Sequence, residues 1–294
     1  MTGPSWAGLT TAVVAISFLA VTAHAGDNGA IFRTVVAKDC AAVGPEAVCL
    51  GAPLTQGSTA TALDVLRDIY PGLGLDGKGS RFAGAEAVEA ASDPDAGAPA
   101  DRAVDIGARE TADIAVIDAG KAAYAAAVSG GVVAVAQIKP AYKPLGRLQV
   151  VTDPGGPTNG FRLLLAAIDN PLAVTISSHF SSQEGFDSLH LVGVVGGQLV
   201  DLYDGPYLYS LAEATEHCEL LDHREVVATL EVRKQSHHGL GDIGIAVDYT
   251  ATCINGEKRL PVEKKSFPMR LAYDGTHYDG DSSALDDFNS AFTE

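Results

Sequence analysis

The chain has 294 residues, 47% of them hydrophobic, and its 37 acidic and 20 basic residues give a formal net charge of −17 at pH 7. This length and apolar content suit one large domain or two small ones and argue against disorder of the whole chain. The acidity argues against nucleic acid and against an anionic membrane surface as partners, because both are bound through clustered Lys and Arg.

The first 25 residues have the layout of a secretory signal peptide. Residues 12–21 are apolar except for Ser17, and an A-x-A cleavage sequence follows at residues 23–25. An uncleaved membrane anchor is the alternative, but a spanning helix needs about 20 predominantly apolar residues, and Thr10, Thr11 and Ser17 interrupt the stretch from Trp6 to Val21. We therefore expect an exported protein, periplasmic or extracellular, whose mature chain begins near Gly26.

Four cysteines lie beyond the predicted cleavage site. An even number of cysteines in an oxidising compartment favours disulfide bonds. Their spacing favours the local pairs Cys40–Cys49 and Cys218–Cys253. A zinc site that uses the second pair and a nearby histidine is the alternative, but the tight spacing typical of zinc-binding cysteines is absent.

The first elements beyond the leader are a short strand and a helix. Residues 31–37 are β-prone, and residues 61–64 (Thr-Ala-Leu-Asp) resemble a capping box, in which two side chains satisfy free backbone N–H groups. Apolar residues then recur at helical spacing as far as Tyr70, and Pro71-Gly72 ends the helix. An amphipathic helix of this kind packs one face on a core.

Composition also suggests a domain boundary. Residues 83–103 are rich in Ala, Asp, Pro and Gly, which bury little apolar surface, so we expect a flexible connector there. The connector separates a small N-terminal portion over residues 26–82, with one disulfide and one helix, from a main β-rich domain over residues 104–294.

From residue 113 onward, short runs rich in Val, Ile or Leu alternate with turn-forming residues, which is the pattern of β-strands. We predict strands over residues 114–117, 131–138, 148–151, 161–168, 172–177, 189–195, 198–203, 225–232 and 243–249. The Ala-rich stretch 121–128 suits either a helical turn or part of a hairpin, and the sequence leaves both open. A short amphipathic helix over residues 283–292 is predicted near the end of the chain.

Four dipeptides predict tight hairpin turns, because they readily take the positive φ that type I′ turns require. They are Gly196-Gly197, Asp204-Gly205, Asn255-Gly256 and Asp274-Gly275. Turns this close together join antiparallel strands, since parallel strands need long crossovers. The predicted fold class is therefore α+β, dominated by antiparallel β-sheet with several hairpins and a few short helices.

The most polar segment of the β-rich region is residues 177–190, which contain the candidate catalytic residues His179, Glu184 and His190. Ser, His and an acid together can supply a nucleophile, a general base and a group that orients the base. The G-x-S-x-G sequence of a nucleophile elbow is absent. We favour a polar loop between strands, with a hydrolase active site as the alternative.

Two other segments contain residue types that bind metals. His237 and His238 precede Asp242, but neighbouring side chains of a strand point to opposite faces, so both histidines cannot easily bind one ion. The acidic C-terminal segment, residues 274–287, lacks the spacing of a calcium-binding loop. We therefore predict no metal and no cofactor.

Together these patterns predict an exported protein of the cell envelope that acts as a non-enzymatic binding or structural module. The sequence has no recognisable nucleophile elbow, metal motif or phosphate loop, and this motivates the hypothesis. The expected partner is another envelope protein or a small molecule. The alternative is a hydrolase that uses the 177–190 segment.

Overall fold

The computed structural model describes residues 31–36, 47–75, 82–83, 111–129, 132–150, 158–167, 169–180 and 184–284. The predicted signal peptide, most of the predicted connector and most of the predicted C-terminal helix lie outside these residues and stay predictions. Within the described residues, antiparallel β-sheet dominates and accompanies one α-helix, which confirms the predicted fold class.

The described strands form two large sheets and one small one. In chain order, the elements are β1 (Ile31–Val36), β2 (Ala47–Cys49), α1 (Ala62–Ile69), β3 (Gly74–Leu75), β4 (Phe82–Ala83), β5 (Thr111–Asp118), β6 (Ala123–Ser129), β7 (Val132–Lys139), β8 (Lys143–Gln149), β9 (Thr158–Ala167), β10 (Asn170–Phe180), β11 (Glu184–Val195), β12 (Gln198–Glu213), β13 (Leu220–His237), β14 (Leu240–Asn255), β15 (Lys258–Tyr273) and β16 (Tyr278–Gly280). The first sheet has the order β2-β1-β5-β6-β7-β8, and β3 pairs with β4. The second sheet is a meander of eight antiparallel strands from β9 to β16, each paired with the next along the chain.

Strand β1 links the N-terminal residues to the rest of the first sheet. It pairs antiparallel with β5, from Ile31 opposite Val116 to Val36 opposite Thr111. The first sheet thus contains strands from both sides of the predicted connector. How the chain divides into domains stays a prediction.

Helix α1 covers one face of the first sheet. It begins at the predicted capping box, in which the Asp64 N–H donates to the Thr61 hydroxyl and the Thr61 N–H donates to the Asp64 carboxylate. Its buried face, including Leu66 and Ile69, shares one apolar core with β6 and β7. No helix among the described residues is long and apolar enough to cross a membrane.

The Ala-rich stretch that the sequence left open is strand β6, paired with β5 and β7. Both faces of this strand are buried. Ala125 lies in the core under α1, and Ala126 lies in the core between the two large sheets. Small side chains suit a strand that is covered on both sides, and this packing outweighs the high helix propensity of alanine.

The two large sheets pack face to face around a second apolar core, which includes Ile117 from the first sheet and Leu163 and Val192 from the second. The opposite face of the second sheet forms a third core, because this sheet curls until β9 approaches β14. Gly241 on β14 lies at that approach. A Cβ atom there would lie 3.0 Å from the carbonyl oxygen of Ala166, so a larger residue would push β14 and β9 apart.

Three of the four predicted hairpin turns are confirmed. Gly196 and Gly197 join β11 to β12 with φ angles of 60° and 83°. Asn255-Gly256 and Asp274-Gly275 lie where β14 and β15 end. The hairpin turn predicted at Asp204-Gly205 is wrong, because both residues lie inside β12, where the pairing with β11 is irregular. The pair lies between two such irregularities and is itself in register with His190 and Leu189, so the chain does not reverse there.

The nine strands predicted from residue 114 onward all overlap observed strands. The clearest of them is β14, in which Ile243, Ile245, Val247 and Tyr249 are buried on one face, as their alternation predicts. Strand β15 was not predicted, because its sequence is rich in charged residues and contains two prolines.

Cys218 and Cys253 form a disulfide bond with their Cα atoms 5.4 Å apart, so the predicted C-terminal pairing is confirmed. The bond links the segment before β13 to the end of β14. Because both sulfur atoms are in the bond, the alternative of a zinc site at these cysteines is wrong. Cys49 is also disulfide-bonded. Cys40 lies outside the described residues, so the Cys40–Cys49 pairing stays a prediction.

Replacing both Cys218 and Cys253 by Ser should lower the free energy of unfolding by about 3–4 kcal/mol, because the bond closes a loop with a sequence separation of 35 in the unfolded chain. Urea unfolding of the double variant and of the wild type measures this difference, and the Cys49 bond stays intact in both. An unchanged unfolding midpoint would show that the bond contributes nothing to global stability.

Candidate functional site

The segment that the sequence predicted as a polar loop is mostly strand. Strand β10 continues to Phe180 and β11 begins at Glu184, so only residues 181–183 lie between them, outside the described residues. Backbone pairing extends to Phe180 opposite Gly185. The loop prediction is therefore wrong in extent, because polar side chains in these strands are used inside the fold.

The structure places the three candidate catalytic residues at different positions in the second sheet. The register sets His179 opposite Phe186, and it sets Glu184 opposite Leu211 on β12. His190 lies in the middle of β11 and is fully buried. At these positions, the hydrogen bonds that the structure describes are those of His190 to Ser177 and Asp201.

Three side chains on three successive strands form a hydrogen-bonded relay. Nε2 of His190 on β11 lies 2.9 Å from the hydroxyl of Ser177 on β10. Nδ1 of His190 lies 2.7 Å from the carboxylate of Asp201 on β12. Because a carboxylate only accepts hydrogen bonds, His190 donates its Nδ1–H to Asp201, and its Nε2 faces the Ser177 hydroxyl.

A β-bulge brings a second carboxylate to His190. His190 is opposite Asp204 and Val192 is opposite Asp201, so β12 contains one residue more than β11 over this interval. In a regular strand, positions 201 and 204 would face opposite sides of the sheet. The extra residue turns both acids toward His190, whose Nδ1 is 2.7 Å from Asp201 and 3.8 Å from Asp204.

Gly205 makes room for the neighbouring Tyr203. A Cβ atom at Gly205 would overlap the hydroxyl end of the Tyr203 ring, so the missing side chain lets that ring lie along the strand. Burial, followed by the charge of Asp204, raises the pKa of Tyr203, so its hydroxyl stays protonated.

Beside the relay is a cleft of about 320 Å³ between β8, β12 and the β15–β16 turn. Its lining residues are Gln149, Asp201, Leu202, Tyr203, Asp204, His277, Tyr278 and Asp279. The turn that carries His277 is ordered by Asp274, whose carboxylate accepts the backbone N–H groups of His277 and Thr276. These hydrogen bonds lower the pKa of Asp274 to about 2.

The relay meets the cleft at its acidic end. Asp201 lines the cleft, whereas Ser177 and His190 are fully buried and are not among the lining residues. Burial raises the pKa of Asp201, and the hydrogen bond and charge of His190 oppose that rise. The arrangement can therefore present an oriented carboxylate to a ligand more readily than it can present a serine nucleophile.

Sequence reasoning found His190 but missed the carboxylates that matter beside it, Asp201 and Asp204. One signal was available for His190: it shares a face with Val192 and Val194, which alternate with Leu189 and Leu191, so burial on the inner face of β11 could be predicted. Nothing comparable marks the two acids, since their common direction depends on a bulge.

The second histidine candidate stabilises a turn. His238 and Gly239 form the turn between β13 and β14, with φ angles of 48° and 87°. The fully buried Asp242 carboxylate lies 2.6 Å from Nδ1 of His237 and accepts from Nε of Arg270 on β15 at 2.6 Å. Although burial opposes ionisation, the hydrogen bonds from His237 and Arg270 lower the pKa of Asp242. This cluster fastens the turn to β15.

In the part of the chain that the structure describes, no group of three or more His, Cys, Asp or Glu side chains is arranged to hold a metal ion. The sequence matches no protein family, and neither a curated protein nor a solved structure matches the chain. Function is therefore inferred from the geometry of the site itself.

Asp242→Asn should destabilise the protein near pH 6, and the difference from the wild type should shrink as the pH falls. The pKa of Asp242 is lowered in the folded state, so its stabilising contribution is present above the unfolded value of about 3.9 and is lost as the pH falls through the folded value. Urea unfolding between pH 3 and 7 measures this. Arg270→Gln removes the permanent counter-charge and should reproduce most of the loss, whereas an Asp242→Asn variant as stable as wild type at pH 6 would contradict the assignment.

Proposed function

We propose that this protein is exported and acts as a non-enzymatic binding module, with the cleft beside Asp201 as its site for a small organic cation. The observation that carries the proposal is the charge of the cleft. Among the eight described residues that line it, three are Asp and none is Lys or Arg. Its volume of about 320 Å³ lies at the lower end of the range for small-molecule sites.

The aromatic lining supports the same class of ligand. Tyr203 and Tyr278 both line the cleft, and the Tyr278 hydroxyl donates to the carbonyl of Gly241 at 2.8 Å, which holds that side chain in place. Aromatic rings attract organic cations through their negative faces, and they attract quaternary ammonium groups well. Carboxylates and tyrosines together therefore favour an ammonium ligand over an anion.

The end of the relay that reaches the cleft favours binding over catalysis. A hydrolase of the Ser-His-Asp type exposes its serine to substrate and buries its acid. Here the serine is the buried end, and Asp201 lines the cleft. Ser177 and His190 thus act behind Asp201, where they hold its carboxylate in one orientation.

Export is supported by two observations of different kinds. The Cys218–Cys253 bond is typical of proteins in oxidising compartments, since disulfide bonds are rare in the cytosol. The first 25 residues have the layout of a signal peptide. A location in the cell envelope or outside the cell agrees with both.

Choline should bind to the mature protein at least about tenfold more tightly than 3,3-dimethyl-1-butanol, its uncharged carbon analogue. The two molecules share size and shape, so the difference reports the attraction of the carboxylates and tyrosines for the positive charge. Isothermal titration calorimetry at low salt measures both affinities. Equal affinities, or no binding of choline, would contradict the proposal.

Two Asp→Asn variants distinguish the effect of a carboxylate in the cleft from the effect of the chain's overall negative charge. Asp204→Asn removes a half-exposed carboxylate of the cleft and should weaken choline binding about fivefold, as expected for an exposed ion pair worth about 1 kcal/mol. Asp248→Asn removes the same charge from β14, away from the lining residues, and should change the affinity less than twofold.

A hydrolase remains the second candidate, because Ser177, His190 and Asp201 are joined by hydrogen bonds of 2.9 and 2.7 Å in the order of a catalytic triad. This function requires an opening of the second sheet that exposes the Ser177 hydroxyl.

A fluorophosphonate probe should leave the native protein unlabelled, since Ser177 is buried, and p-nitrophenyl acetate should be hydrolysed no faster than in buffer. Mass spectrometry of the probe-treated protein decides the first point. Stoichiometric labelling at Ser177, together with ester turnover that His190→Ala reduces about 10²- to 10⁴-fold, would overturn the binding proposal in favour of the hydrolase.

A further inference from the structure

His190 faces two carboxylates of β12 that line the cleft. Its Nδ1 is 2.7 Å from Asp201 and 3.8 Å from Asp204, and its side chain is only 1% exposed. A buried imidazolium is costly unless negative charge compensates it. These two carboxylates supply that compensation, and they are the same groups to which the cleft would bind a cation.

The β10 side chains next to His190 carry no charge. From β10, the Ser177 hydroxyl contacts Nε2, and Thr175, opposite His190 in register, has a buried hydroxyl without a hydrogen-bond partner among the described residues. From β8, Gln149 lines the cleft. Across the cleft, the β15–β16 region contributes Asp279 and His277. The His277 side chain is 58% exposed, and its Nδ1 lies 3.2 Å from the carboxylate of Asp274 in the same turn.

We propose, building on the cation site above, that His190 is the internal counter-charge of that site and that a bound organic cation replaces its proton. In the empty cleft, protonated His190 neutralises Asp201 and Asp204. A cation that takes over these carboxylates places a like charge beside the imidazolium, which disfavours the protonated form. Binding therefore converts His190 to its neutral form and releases the proton to solvent.

This exchange makes affinity depend on pH. Where His190 is protonated in the empty protein, each bound cation releases up to one proton, and affinity rises by at most about tenfold per pH unit. Where His190 is already neutral, binding releases no proton and affinity becomes constant. The experiment therefore covers the interval between about pH 5 and 8, in which histidine side chains ordinarily change charge.

Calorimetric titration of the mature protein with choline tests the exchange directly. The titration is repeated at pH 5.5, 6.5 and 8.0 in phosphate, maleate and cacodylate buffers, whose ionisation enthalpies differ and whose components carry no ammonium group. The dependence of the observed enthalpy on the buffer gives the number of protons released. We expect release near one proton per choline at pH 5.5, close to zero at pH 8.0, and weaker binding at the lower pH.

Two variants assign the proton. His190→Gln should bind choline without proton release and with an affinity that no longer rises with pH, whereas His277→Gln should keep the release. Release that persists in His190→Gln would assign the proton to another group, such as Asp201, and would overturn the inference. If circular dichroism shows that His190→Gln does not fold, histidine NMR signals replace it: in both the wild type and His277→Gln at pH 6, choline should move one of them toward its neutral position, and no such movement would overturn the inference.

The two proposals fail in different ways. Choline that binds without proton release at every pH overturns the exchange and leaves the cation site standing. Choline that does not bind at any pH overturns the cation site and the exchange with it.

Discussion

The register between β11 and β12 controls which side chains share the interior around His190. Side chains alternate along a strand, so a shift by one residue transfers every group to the other face. The bulge that sets Val192 opposite Asp201 and His190 opposite Asp204 applies such a shift within one strand. Before the bulge, β12 places Leu199 in the core between the sheets. At the bulge, β12 places the Asp201 carboxylate next to His190.

Buried polar groups at this place restrict the sheet to one register. Ser177, His190 and Asp201 satisfy one another, and their hydrogen bonds require the observed pairing of β10, β11 and β12. A slipped register would leave these groups buried without partners, at a cost of about 1–3 kcal/mol for each neutral group and more for the carboxylate. The surrounding apolar residues would tolerate a slip far better, since leucine and valine pack in many arrangements.

The parts of the fold that local sequence determines were predictable. The capping box at Thr61, the alternation of β14 and the Gly196-Gly197 turn each involve neighbouring residues, and each is present. Features that depend on distant packing were not predictable. Strand β6 forms because both of its faces are covered by other parts of the fold. Strand β15 forms because it pairs with β14 along most of its length, although most β15 side chains are solvent-exposed.

The candidate site likewise has one part that local sequence predicts and another that depends on strand pairing. The buried position of His190 follows from the apolar residues that alternate with it, and its choice as a candidate rested on residue type alone. The contributions of Asp201 and Asp204 follow from a one-residue bulge, and the sequence signal at that point, Asp204-Gly205, is the signal of a hairpin turn. A dipeptide that is common in hairpin turns can also lie inside a strand beside a bulge, so only the pairing of the whole strand distinguishes the two.

Asp242 and Asp201, two acids of the second sheet, are paired with counter-charges of different kinds. Asp242 is held by Arg270, and because a guanidinium keeps its proton throughout the accessible pH range, that pair persists in every state of the folded protein. Asp201 is held by His190, and an imidazole, unlike a guanidinium, can give up its proton. A permanent cation suits a contact that fastens a turn to a strand. A removable cation suits a carboxylate at a cleft, since that carboxylate can exchange its internal partner for a ligand without leaving a charge buried and unpaired.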